Sequence, residues 1–364
     1  AAVLKNMGSG LRAMACYGGR ATMDEHRVMK QVRPQIVFGT PGRLNDHLDK
    51  GNLNRYHIRY LVIDEFDKCL EMGFQDEMSR LVKSLPGLRR HFLLSATEAE
   101  EIPRFVHMGR VEKIDYRMDE EQVPERVHIY KVESPVKDKL ESLGMLLRSL
   151  GDQSTIVFLN YRDSVERTNK YLVEQGFSTS FFHGGLEQKE REASLYRFSN
   201  GSANILVSTD LASRGLDIPD IDNIIHYHMP ESEDGYIHRV GRTARWEAQG
   251  RAFFLLGPEE HIPDYVDAEV EDYEIPAVEE LPMPAKPKMA TLYIGKGKKD
   301  KISKGDILGF LCKKGGLNSS EIGKIDVNDR YAYAAIARPK LRSVLNKVKG
   351  EKIKGVKTIV EEVR

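Results

Sequence analysis

Short apolar runs, each followed at once by a polar cluster, recur through the first 257 positions of this 364-residue chain. Residues 36–38 (IVF) lead into 39–43 (GTPGR), 60–63 (YLVI) into 64–67 (DEFD), and 92–94 (FLL) into 95–97 (SAT). Residues 155–158 (TIVF) lead into 159–162 (LNYR), and 205–207 (ILV) into 208–219 (STDLASRGLDIP). Apolar runs this short, alternating with helix-like stretches, describe parallel strands joined by helical crossovers, so the class is α/β. Open parallel sheets bind ligands beyond the carboxyl ends of their strands. One polar cluster there could be a turn, but five describe a ligand-binding rim.

Prolines and charge divide the chain. The polar stretch 111–139, with Pro124 and Pro135, marks a boundary near residues 118–125 between two α/β units, 1–117 and 118–258. Residues 259–284 hold ten Asp or Glu and no Lys or Arg, which predicts an acidic linker over 259–288. Residues 289–364 hold 18 Lys or Arg against 8 Asp or Glu, a net charge of +10 in a chain whose total is zero. This basic module of short strands and two amphipathic helices suggests a nucleic-acid partner, although a solvated lysine-rich surface has the same composition. Three scattered cysteines, Cys16, Cys69 and Cys312, outline neither a disulfide framework nor a zinc site, and fit a reducing cytoplasm. No apolar run approaches the ~20 residues of a membrane span. A chain opening on AAVLKNMGSG is expected to be part of something longer.

Several motifs suit phosphate chemistry. Asp64 and Glu65 at a strand end offer oxygen ligands for a hard cation such as Mg²⁺, though an isolated acidic pair opening a helix is also an ordinary cap. In YIHRVGRTAR, Arg239, Arg242 and Arg245 stand three apart, so several guanidinium groups are expected to point one way and call for an anion. Ser208, Thr209, Asp210, Arg214 and Asp217 follow one strand and suit RNA phosphates on one side and a nucleotide on the other. The glycine pairs Gly18–Gly19 and Gly184–Gly185 expose backbone N–H groups to an anion or make plain turns.

In this order, GG, TPGR, DEFD, SAT, VFLN, HGG with Gln188 and Arg191, STDLASRGLDIP and HRVGRTAR resemble the DEAD-box RNA helicases over residues 15–257. The resemblance implies two RecA-like domains, the first incomplete here, that close around ATP and kink one RNA strand. It implies that Asp64 and Glu65 hold Mg²⁺ and the hydrolytic water, and that Arg242 and Arg245 are arginine fingers. It places Asp217 near the ribose, with Ser95 and Thr97 coupling hydrolysis to closure. Gly19, Thr40, Arg43, Gly184, Gln188, Arg191 and Thr209 match positions facing the RNA backbone. Phe66 and Ala244 depart from the family pattern at its alanine and glycine. The adenine-reading segment and GxxxxGKT-type phosphate loop are not found, since NMGSGL at 6–11 lacks the Lys-Ser/Thr that such a loop needs.

Residues 305–336 and 353–362 are similar to the RRM-like C-terminal domain of DbpA-type helicases. Strand alternation puts Tyr331 and Tyr333 on one face, with Tyr293 a neighbour, as candidate base-stacking residues or as ordinary sheet tyrosines. The implied protein is a cytoplasmic, monomeric, ATP- and Mg²⁺-dependent RNA helicase and hydrolase acting on structured ribosomal RNA in ribosome assembly. The alternative is a non-catalytic RNA-binding protein or RNA chaperone. The 364 residues alone are expected to hydrolyse ATP negligibly.

Overall fold

The computed structural model describes residues 4, 7–17, 22–71, 74–95, 106, 111–114, 127–213, 221–243 and 249–363. The chain divides into two compact units, Ala1–Arg117 and Met118–Arg364.

In the first unit, β1 (Ala13–Cys16) pairs in parallel with β2 (Ile36–Gly39), and β3 (Tyr60–Ile63) pairs in parallel with β4 (Arg90–Leu93). Between them run α1 (Thr22–Val32), α2 (Pro41–Asp49), α3 (Phe66–Glu71) and α4 (Gln75–Lys83). Gly39 permits the turn from β2 into α2, because a side chain there would meet Leu44 Cδ2 at 2.6 Å and the Cys16 carbonyl oxygen at 2.9 Å. Pro41, with its preset φ and no N–H to leave unpaired, then starts α2. In α4, Met78, Leu81 and Val82 face inward, while Asp76 and Glu77 in the first turn and Arg80 and Lys83 in the last complement the helix dipole. Phe66 is buried beside Met78 and Val106, so the bulky residue inside DEFD anchors a small core.

The second unit holds a seven-stranded parallel sheet in the order β11-β5-β10-β9-β6-β8-β7. These strands are β5 (Val127–Glu133), β6 (Thr155–Phe158), β7 (Thr179–Phe182), β8 (Ile205–Ser208), β9 (Asn223–His226), β10 (Gly250–Leu256) and β11 (Val270–Asp272). Every residue of β6, β8 and β9 is buried, because helices cover both faces. On one face α5 (Leu140–Leu150) and α6 (Arg162–Glu174) meet Val157 and Val207; on the other, α7 (Gln188–Ser199) and α8 (Glu233–Val240) meet Ile156 and Phe158. The acidic stretch does more than link: β11 extends the sheet, and the Arg148 guanidinium donates to the carbonyls of Leu281 and Pro282 at 2.7 Å.

The basic C-terminal residues form an antiparallel sheet in the order β13-β14-β12-β17, with β12 (Met289–Ile294), β13 (Ile322–Val327), β14 (Ala332–Ala337) and β17 (Val360–Glu362). Two-residue strands β15 (Lys352–Ile353) and β16 (Val356–Lys357) make a small hairpin. Helices α9 (Lys304–Lys313) and α10 (Leu341–Val348) cover one face around Leu292, Ile294, Phe310, Leu311, Ile336 and Val344. This is the RRM-like α+β arrangement the sequence implied. Among the described residues no helix is long and apolar enough to cross a membrane.

Candidate nucleotide and RNA interface

In the first unit the neighbouring ends of β3 and β4 bring Asp64, Glu65 and Ser95 together. Leu94 N–H donates to the Ile63 carbonyl and Phe66 N–H to the Leu94 carbonyl, both at 2.9 Å, which locks the two exits side by side. Glu65 has φ +49°, so the chain turns sharply off the strand, a strained conformation of the kind that gathers at functional sites. Asp64 is exposed and Glu65 half-buried, and Asp64 Oδ1 accepts the Glu65 N–H at 3.0 Å. Two solvent-facing carboxylates with no cation bonded to them among the described residues are a donor set that fits a hard divalent ion. Thr97 lies outside the described residues, as does Gly19. Thr40 is the exposed extended residue before α2, and Arg43 is in its first turn.

In the second unit the adjacent ends of β7 and β8 gather Gly184, Gln188, Arg191 and Thr209. Thr209 N–H donates to the Phe182 carbonyl at 3.2 Å. Arg191 donates from Nε to the Leu186 carbonyl at 2.8 Å and from Nη2 to the Gly184 carbonyl at 3.3 Å, so α7 braces the glycine loop ahead of it. Gly185 spends its N–H on His183 Nδ1 at 3.1 Å, which leaves the pair a braced turn more than an open anion cradle. Ser208 is fully buried and donates to the Phe182 carbonyl, so its hydroxyl faces the sheet and not a ligand. Asp217, Arg214 and Arg245 lie outside the described residues.

The expectation that Arg239, Arg242 and Arg245 point one way fails at its first member. Arg239 is wholly buried, donating to Asp210 Oδ1 at 2.5 Å, to Asn160 Oδ1 at 2.7 Å and to the His228 carbonyl at 2.8 Å. It ties the loops after β6, β8 and β9 to α8, while Arg242, just past that helix, is half-buried. The signal was legible: Tyr236, Arg239 and Val240 share the inward stripe of one helix. Beside the guanidinium, burial first and the Arg239 charge second push the His226 pKa well below its usual value, so that ring is neutral.

The C-terminal tyrosines meet protein. Tyr333 is 3% exposed and its ring stacks on Tyr196 of α7, with centroids 5.0 Å apart. The Tyr331 hydroxyl donates to Glu192 at 2.7 Å, and Lys189 Nζ lies 5.3 Å from the Tyr293 ring centre. Asn200 donates to Thr291 Oγ1 at 2.9 Å, and Arg338 to the Ser202 carbonyl at 3.2 Å. In this arrangement α7 covers the face expected to stack bases, and Tyr333 presents no open ring to RNA. Alternation correctly put the tyrosines opposite the small domain's own core, but no sequence rule chose α7 as their cover. A weak hint in the sequence was the spacing of Tyr196 and Phe198, two positions apart and so on different sides of α7, which one covered stripe would not bury together.

Residues 1–105 match the DEAD/DEAH box helicase family, 138–247 the helicase conserved C-terminal domain, and 291–362 the DbpA RNA binding domain. The chain is 35% identical to the ATP-dependent RNA helicase DbpA of Escherichia coli over 334 residues, covering 89% of this chain and 72% of that protein. It is 30% identical to the DbpA helicase of Bacillus subtilis over 373 residues, covering 95% and 78%. Among solved structures, Saccharomyces cerevisiae Dbp5 bound to RNA and ADP BeF3 matches with a TM-score of 0.61 at 23% identity, covering 75% of this chain and 73% of that one. Mss116p bound to single-stranded RNA and AMP-PNP matches at 0.60 and 24%, covering 73% and 58%. At such identities these two likenesses speak for the fold.

Proposed function

The chain belongs to the DbpA-type DEAD-box RNA helicases, and from that premise we propose that it uses ATP to open short duplexes in structured ribosomal RNA, anchored by its basic C-terminal domain. The observation that carries the reading is the fastening of that +10 domain onto α7, the helix whose first turns bear Gln188 and Arg191. An anchor held in one pose on the element that offers backbone contacts delivers the neighbouring duplex to a set place. This lowers the ordering cost of engagement.

Asp64 and Glu65 would hold Mg²⁺, which would supply positive charge against the phosphates. Glu65 accepts a proton from the attacking water at its carboxylate. Arg242 and Arg245 stabilise charge on the transferred phosphoryl group, with Asp217 toward the ribose. Ser95 and Thr97 relay the state of that site to the RNA contacts. Thr40, Arg43, Gly19, Gly184, Gln188, Arg191 and Thr209 hold the RNA backbone. No GxxxxGK[ST] stretch occurs in the 364 residues, so these residues alone are proposed to turn over ATP negligibly.

The test joins the 364 residues to a phosphate-loop segment and measures unwinding of a short duplex with and without an attached ribosomal hairpin. The hairpin is expected to raise the rate. Glu65→Gln should bind RNA without turnover, and Arg242→Ala should lower turnover by about 10³-fold or more. Equal rates on both RNAs would remove the ribosomal target, and normal turnover by Glu65→Gln would remove that residue from the chemistry.

A further inference from the structure

We infer that Glu25, which no motif marks, is a positioning residue that sets the RNA grip of the first unit; the inference rests on Arg43 being an RNA-backbone contact. Glu25 lies on α1, 4% exposed, and its carboxylate joins three elements. Oε1 accepts the N–H of Tyr17, the residue after β1 and before Gly18, at 3.3 Å. Oε2 accepts from His47 Nε2 on α2 at 2.8 Å, and the Arg43 guanidinium stands 3.7 Å from that same oxygen.

The hydrogen-bond chain determines where the charge sits. Asn52 Nδ2 donates to His47 Nδ1 at 3.0 Å, so the fully buried ring carries its proton on Nε2 and is a neutral donor toward Glu25. The positive charge opposite the buried carboxylate is then that of Arg43. The guanidinium is also held from Thr22, whose Oγ1 accepts from Arg43 Nη1 at 2.6 Å and donates to Asp46 at 2.9 Å. Cys16 completes a cluster with Glu25 and His47 whose donor atoms lie within 4.8 Å of one another. Burial first, and the Glu25 charge second, push its thiol up to about 11, so it is protonated at neutral pH. A Glu–His separation of 2.8 Å is a hydrogen bond, shorter than the roughly 3–4 Å spacing of two ligands on one zinc ion. The cluster is a brace and not a metal centre.

A buried carboxylate is costly, and an apolar side chain of its size would fill the space more cheaply. What the carboxylate adds is registration: the end of β1, the body of α1 and the first turns of α2 are tied through one group. Tyr17 at the end of β1 and the Thr40–Arg43 stretch are thereby held at a set spacing, and Arg43 is aimed before RNA arrives.

The test is a double-mutant cycle on residues 1–364, read by anisotropy with a fluorescent oligouridine across a salt series. Arg43→Ala should lower affinity about tenfold, the worth of one charge-assisted contact, and reduce the salt slope by about 0.7, the share of one phosphate. Glu25→Ala should do the same, and the double variant no more than either alone. Glu25→Gln keeps the size of the side chain and one of the two accepted hydrogen bonds, because its Nε2 donates and cannot accept, and it removes the charge opposite Arg43, so it disturbs the packing less than alanine does. It should cost about threefold, a loss that vanishes once Arg43 is alanine. Additive losses, or a glutamine effect that persists in the Arg43→Ala background, overturn the positioning role and leave the RNA reading standing. An Arg43→Ala variant with unchanged affinity and slope overturns the RNA contact itself, and the role of Glu25 with it.

Discussion

The two units are built from strands of the same character and treat them differently. Thr155–Phe158, Ile205–Ser208 and Asn223–His226 are buried at every residue, whereas along Tyr60–Ile63 and Arg90–Leu93 exposed and half-buried residues alternate. Tyr60 and Val62 are 63% and 56% exposed, although YLVI is as apolar as TIVF. The second unit has helices on both faces of its sheet; in the first, helices meet one face of the β3–β4 ladder and no layer lies over the other among the described residues. An apolar run thus reports which neighbours a strand requires, and burial reports which neighbours it has. The second unit goes further, since the outer side of its helix α7 is itself covered by the C-terminal sheet.

The largest expected effect that would sharpen this contrast is at Arg239. Arg239→Ala removes a buried guanidinium and strips Asp210 and Asn160 of their partner, at a cost of about 3–5 kcal/mol to the second unit. In denaturant titrations followed by probes in each unit, the transition of the second should fall while that of the first stays. Movement of both together would show that the two do not unfold separately. Next comes a pair of equivalent truncations. Ile156→Ala, in a fully enclosed strand, should cost about 2–5 kcal/mol, and Val62→Ala, on the open face of β3, under about 0.5 kcal/mol. Similar losses from both would break the comparison, because they would mean that the outer face of β3 is covered in solution.

A more gradual effect is expected in pH. The folded-state pKa of His226 lies well below the ordinary value of 6.5, so as pH falls through about 6.5 the unfolded chain takes up a proton that the folded unit refuses. Stability of the second unit is therefore complete above that pH and should decline below it by up to about 1.4 kcal/mol per pH unit from this ring. His226→Gln should flatten the slope between pH 6.5 and 5. An unchanged slope would move the effect to His228, which burial also holds below its ordinary value.

Most of the fold was legible because it follows from local rules. Short apolar runs announced parallel strands, and alternation in YAYAAIA separated Tyr331 and Tyr333 from the core residues Ala332 and Ala334. Asp64, Glu65 and Thr209 drew notice because they follow apolar runs, where a sheet presents ligands, whereas Thr40, Arg43, Gln188 and Arg191 were named only because they match positions of the family's motifs. Arg239 was misread because charge was weighed ahead of helical phase. Glu25 and His47 carried no local mark, since their meaning lies in a 2.8 Å meeting of two helices separated by β2.

Residue order therefore determined the elements, their sequence along the chain and the family, through side-chain periodicity and backbone preference, both of which act over a few positions. Which apolar faces found a cover, which arginine became structural, and whether the C-terminal tyrosines met RNA or α7 were decided only by the tertiary structure. Burial and pairing of this kind depend on residues distant in the chain, such as Tyr196 and Tyr333, and on the cost of leaving an apolar face or a charge without a partner.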